Sequence, residues 1–138
     1  METIDRNYLG SGNEYEEIYR ENILDHFRNP RNFGKLQQYT LNEKETNPIC
    51  GDEIEIFIHL KNETAMDVKF FGKGCAISQA AASMLTEHVR GKSLEEIQKI
   101  QPEQVLEMLG IELGFVRKKC GLLCLKTLQK ALKFEEEK

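Results

Sequence analysis

The sequence predicts an α+β domain in which helices pack on one face of a small three-stranded antiparallel sheet. Three observations carry that expectation. Two alternating stretches, Ile54-Ile56-Ile58-Leu60 and Met66-Val68-Phe70, are joined by a short polar turn around Asn62, the pattern of a hairpin with one buried face. Apolar residues spaced at helical intervals recur on both sides of that hairpin. The order, one helix, then strands, then helices only, segregates the two kinds of element as α+β domains do.

Each element has its own signal. Met1 to Asn13 holds two glycines and few apolar residues, so residues 1–13 are expected to be a flexible lead into a single domain spanning 1–138. From Glu14, residues Tyr15, Ile18, Tyr19, Ile23 and Phe27 form one helical stripe. It stops at Asn29-Pro30, because the residue before a proline avoids the helical region. A first strand is read over Tyr39 to Glu43. In the second, the isoleucines alternate with Glu53, Glu55, Phe57 and His59. Gly72 and Gly74 break the third strand just before Cys75. A helix stripe of Ile77, Ala81, Met84, Leu85 and His88 follows, closed by Gly91. Ser93 with Glu96 makes a capping box for a short helix. Pro102 suits the first turn of the next, which ends near Gly110. The last helix carries Val116, Cys120, Leu123, Cys124, Thr127, Leu128, Ala131 and Leu132 on one stripe, with lysines opposite.

A chain of 138 residues buries roughly two-thirds of its unfolded surface, so its core needs no disulfide or metal to hold it. Lysine and arginine total 19 against 23 acidic residues, a net charge of −4, which lacks the basic footprint of a nucleic-acid binder. No apolar run reaches membrane-spanning length, and Met1 to Gly10 is too polar for a signal peptide. The expectation is a cytoplasmic protein. Its four cysteines are then read as metal ligands, nucleophiles or buried thiols rather than disulfides.

Three of those cysteines stand where chain geometry matters. Cys50 lies in Asn47-Pro48-Ile49-Cys50-Gly51-Asp52, a turn between strands that can aim Cys50 and Asp52 at one point. Cys75 follows Gly72-Lys73-Gly74 and opens a helix, where free N–H groups and the helix dipole favour a thiolate. Cys120 sits near the start of the last helix on its inward stripe. Three sulfurs and one carboxylate suit a tetrahedral zinc, and equally a [2Fe–2S] cluster. The competing reading is a set of buried thiols, since free cysteine is among the most buried residue types and no C-x-x-C pair is present. Cys124, one turn beyond Cys120, is read as a buried thiol, with a spare ligand or resolving thiol as the alternative. His26, His59 and His88 are read as structural. Lys119 either pairs with or replaces Asp52, or is a solvated lysine beside Lys118 and Arg117. Those basic residues suit an acidic partner surface.

Taken together, the motifs resemble the IscU/SufU/NifU-N family of iron–sulfur scaffolds. Asn47 to Asp52 is similar to that family's signature turn. Gly72-Lys73-Gly74-Cys75-Ala76-Ile77-Ser78-Gln79-Ala80, running into Ala82-Ser83-Met84, is similar to its second cysteine motif. Arg117-Lys118-Lys119-Cys120 stands where the third falls, and His26 to Asn32 resembles the exit from its first helix. The resemblance implies metal or cluster ligands Cys50, Asp52, Cys75 and Cys120, with Lys119 auxiliary, and a cargo of zinc, iron or a [2Fe–2S] cluster. It implies a scaffold that takes sulfur from a cysteine desulfurase and passes a cluster to acceptor apo-proteins, a binding and assembly protein rather than a turnover enzyme. An iron donor, a chaperone and a homodimer are left open by it. The alternative is a zinc-dependent sulfurtransferase. Cys120 is the expected sulfur acceptor, because Lys119 and Arg117 lie beside it, and Cys50 is the runner-up. The branches are mixed here. Lys119 stands where the IscU branch has histidine, and that branch's Leu-Pro-Pro-Val-Lys chaperone motif is missing. Arg117 to Cys120 matches the SufU pattern, but the short Ile100 to Phe115 connection lacks the SufU insertion.

Overall fold

The computed structural model describes residues 14–136, with side chains for 16–133. The expected loose start, Met1 to Asn13, and the Tyr15 side chain lie outside the described residues. Helix α1 spans Glu14–Arg28, strands β1, β2 and β3 span Leu41–Asn47, Asp52–Lys61 and Thr64–Lys73, and helix α2 spans Ala76–Val89. Two short helices, α3 (Leu94–Gln98) and α4 (Pro102–Leu109), precede the 22-residue α5, Phe115–Glu136.

The sheet has order β1-β2-β3 and is antiparallel throughout. Ile54, Ile56 and Ile58 of β2, with Val68 and Phe70 of β3, are fully buried beneath α2 and α5, and α1 packs on α2. A register shift between His59 and Leu60 brings Ala65 rather than Met66 to the inner face, so Met66 is exposed. The capping box at Ser93 forms in both directions, and Gly110 ends α4 in the left-handed conformation (φ 71°).

Three further sequence readings needed correction. The first strand runs over Leu41–Asn47, not Tyr39 to Glu43. Its middle is polar, so no apolar alternation marks it. It is held by the full pairing with β2 and by Glu45, which meets Lys130 at 2.7 Å and Lys126 at 3.7 Å across the layer. The buried face of α1 is rotated from the apolar stripe: Ile23, Arg20 and His26 are buried while Ile18 and Phe27 are exposed. In α2, burial extends around nearly the whole helix from Ile77 to Thr86, and His88 faces solvent.

His26 shows why the rotation occurs. Ser83 Oγ accepts the Arg31 N–H at 2.8 Å and lies 2.7 Å from His26 Nδ1, so one hydroxyl links the buried ring to the segment that follows α1. Burial, and then the Arg31 charge, hold the His26 pKa below 6.5. The folded chain therefore takes this proton less readily than the unfolded one, so the stability is complete above pH 6.5 and is lost as pH falls through the folded value. The melting temperature is expected to be flat above neutrality and to fall just below pH 6.5. His26→Gln, which can still hydrogen-bond Ser83, should flatten that segment of the curve, as thermal melts by circular dichroism would record.

Candidate metal and sulfur site

Three chain segments meet at one end of the sheet. Antiparallel pairing sets Asn47 opposite Asp52, so Pro48 to Gly51 close the turn between β1 and β2. The Asn47 carbonyl accepts the N–H groups of Gly51 (2.8 Å) and Cys50 (3.2 Å). Cys50 is left exposed at the tip, while Asp52, as the first residue of β2, is only 1 % exposed. Because Glu53 pairs with Lys73, β3 runs out beside the start of β2, and Gly74-Cys75 is laid against Asp52. Cys75 is the residue that caps α2, and its backbone N–H donates to Asp52 Oδ1 at 3.0 Å. A side chain on Gly74 would strike Asp52 Oδ1 and Ser78 Oγ, so the carboxylate reaches this N–H only past a bare Cα. The first turns of α5 bring in Cys120, 2 % exposed, with its Sγ 2.9 Å from Cys50 Sγ.

One sulfur each from Cys50 and Cys120 and a carboxylate oxygen of Asp52 thus lie within 4.8 Å of one another. Cys75, exposed at the helix start, has its sulfur outside that group and joins it through its backbone. Asp52 Oδ2 is buried with no hydrogen-bond partner. An unpartnered carboxylate oxygen inside a protein is costly, and a cation beside it removes the deficit. Soft thiolates with one hard oxygen suit zinc or iron. The thiols would spread on binding, since roughly 2.3 Å zinc–sulfur bonds at tetrahedral angles set sulfurs roughly 3.8 Å apart.

Electrostatics point the same way. Burial, then contacts with Cys50 and Asp52, then the charges of Cys75 and Asp52, push the Cys120 thiol far up from its ordinary value. Without a cation Cys120 is a neutral thiol, and a bound cation would reverse that balance. Burial alone pushes Cys124 up to about 12, as befits a thiol in the core.

Lys119 Nζ lies 4.8 Å over the exposed Phe115 ring, and no ion pair joins it to Asp52 among the described residues. The three histidines stand outside the cysteine–aspartate group. One residue of the site carried no expectation: Asn47 is 6 % exposed, its Nδ2 donates to Cys120 Sγ at 3.8 Å, and its Oδ1 accepts the Ile49 N–H at 3.3 Å. Its place before a proline, at the mouth of the turn, was the available signal.

Residues 18–138 match the family model described as NifU-like N terminal domain. The chain belongs to that family. Among relatives of this NifU-like N-terminal domain, the iron–sulfur cluster assembly scaffold protein IscU 1 of Archaeoglobus fulgidus is 38 % identical over 117 residues, covering 83 % of this chain and 74 % of the relative. The zinc-dependent sulfurtransferase SufU of Bacillus subtilis is 35 % identical over 138 residues, covering 86 % and 93 %. A crystal structure from Fervidobacterium islandicum, described as an iron–sulfur cluster assembly scaffold protein for the SUF system, superposes with a TM-score of 0.73 at 30 % identity, covering 85 % of this chain and 98 % of that one. A NifU-like N-terminal domain from Brucella abortus superposes at 0.74 with 20 % identity over 89 % and 97 %, and shares the fold.

Gly74→Ala tests the placement of Asp52. The variant should fold with a modestly lower melting temperature, and its affinity for zinc should fall by about tenfold or more, as with lost outer-shell support at other metal sites. Chelator competition measures the affinity. Undiminished zinc binding would mean that the close approach at Gly74 does not position the carboxylate.

Proposed function

We propose that this chain is an iron–sulfur cluster assembly scaffold that takes sulfur from a cysteine desulfurase, holds a [2Fe–2S] cluster as cargo, and passes it to acceptor apo-proteins in the cytoplasm. The observation that carries the reading is the convergence of Cys50, Cys120 and the unpartnered Asp52 Oδ2 at one end of the sheet. Cys75, capping α2 at the rim, supplies the fourth donor by turning its exposed side chain inward. In sulfur acceptance a thiolate attacks the outer sulfur of the partner's persulfide. The persulfide S–S bond breaks, a new one forms on the acceptor, and the partner's cysteine leaves as thiolate. The expectation put this step on Cys120. Its burial, and the engagement of Lys119 with Phe115, favour the exposed Cys50 as the first thiol reached, with Cys120 directly behind it.

Membership alongside a zinc-dependent sulfurtransferase supports a second reading, in which the same ligands hold zinc and the product is the persulfide itself. Anaerobic reconstitution with iron, a cysteine desulfurase and cysteine separates the two. A coloured species that activates an apo-ferredoxin supports the scaffold. A colourless zinc protein that stimulates the desulfurase supports the sulfurtransferase. Metal retained in full by a Cys50→Ser, Cys75→Ser, Cys120→Ser triple variant overturns both.

Asp52 is the ligand that distinguishes a working scaffold from a store. A carboxylate is a harder and weaker partner for sulfide-bridged iron than a thiolate, so it is the bond that opens first on handover. Asp52→Ala should therefore bind a cluster and release it several-fold more slowly to an apo-acceptor, while zinc binding weakens because a ligand is lost. Transfer at the native rate from a fully loaded variant would show that Asp52 is not the release ligand.

A further inference from the structure

We propose that Asn47 is a positioning residue of this site, whose side-chain N–H holds the Cys120 sulfur and limits how strongly that sulfur binds metal. The inference rests on the reading of Cys50, Asp52 and Cys120 as a metal site.

All of Asn47's polar groups but one are directed at the site. Its carbonyl takes the N–H groups of Cys50 and Gly51, its Oδ1 takes that of Ile49, and its Nδ2 donates to Cys120 Sγ. Its partner across the ladder is Asp52. The orientation of the amide is dictated by its neighbours. Ile49 N–H requires an acceptor, so the oxygen must face the turn and the NH2 must face the sulfur; the flipped amide would oppose donor to donor and oxygen to sulfur. One buried side chain therefore couples the turn that carries Cys50 to the helix that carries Cys120, two segments 70 residues apart in the chain.

The chemical consequence follows from the charge on sulfur. Cys120 accepts from Asn47 and donates its own proton to Cys50. Once that proton is displaced, the sulfur is anionic and the N–H···S bond strengthens, because a charged acceptor makes the stronger hydrogen bond. Charge drawn toward the N–H is charge not shared with the metal, which is how hydrogen bonds to sulfur tune iron–sulfur and zinc centres. A residue that merely braced the turn would need only its oxygen and its carbonyl.

Cobalt(II) in place of zinc reports the sulfur directly through its thiolate-to-metal charge-transfer absorption in the near ultraviolet. Two variants are compared with the native protein: Asn47→Ala, which removes both side-chain bonds, and Asn47→Asp, which keeps an acceptor for Ile49 but removes the donor. Both should move the charge-transfer band to lower energy, as expected for a more electron-rich thiolate. A lowered melting temperature with the band unmoved in whichever variant folds, or loss of the fold in both, would make Asn47 a brace of the turn and overturn the proposal. Absence of cobalt–thiolate absorption in the native protein would instead overturn the metal-site reading, and this inference with it.

Discussion

The hydrogen bond from the Cys75 N–H to Asp52 Oδ1 ties the start of α2 to the sheet at the end where the cysteines meet. Its geometry depends on two registers at once. Asn47 must pair with Asp52 for the β1–β2 turn to present Cys50, and Glu53 must pair with Lys73 for β3 to deliver Gly74 and Cys75 alongside. A slip of one residue in either ladder would send the Asp52 side chain to the opposite face. The buried isoleucines of β2 oppose such a slip, because it would turn Ile54, Ile56 and Ile58 out to water. The hydrophobic core thereby sets the geometry of a polar site some distance from its centre.

The site divides into a buried half and an open half. Asp52 and Cys120 are sealed from solvent, whereas Cys50 and Cys75 stand at the surface on a turn and a helix start. Burial gives the inner pair fixed positions and raises the cost of leaving them charged without a cation. Exposure gives the outer pair access to another protein. The proposed role, holding a cluster and handing it on, needs both properties. The arrangement supplies them through position in the fold rather than through different ligand types.

Polar contacts across layers do more here than the sequence pattern suggests. β1 is held against α5 by Glu45 between Lys126 and Lys130, and α1 is seated through His26 on Ser83. Such pairs are invisible to a search for apolar periodicity. They explain why the first strand and the buried face of the first helix were the elements whose expected limits shifted. The same cause hid Asn47, since a buried amide bonded to a sulfur leaves no periodic trace.

The sequence by itself determined the fold class, the strand–turn–strand unit, the cap residues Ser93 and Gly110, and the three motifs that bring Cys50 with Asp52, Cys75 and Cys120 to element ends. Those features are local: alternation, helical spacing and turn residues act over a few positions and can be read in order. Only the tertiary structure decided that Cys120 and Asp52 are buried while Cys50 and Cys75 are open, that Lys119 lies on Phe115 and not on Asp52, and that Asp52 keeps one oxygen without a partner. Burial and partnership depend on which segments, far apart in the chain, are pressed together by the core, and no local pattern of residues encodes that choice.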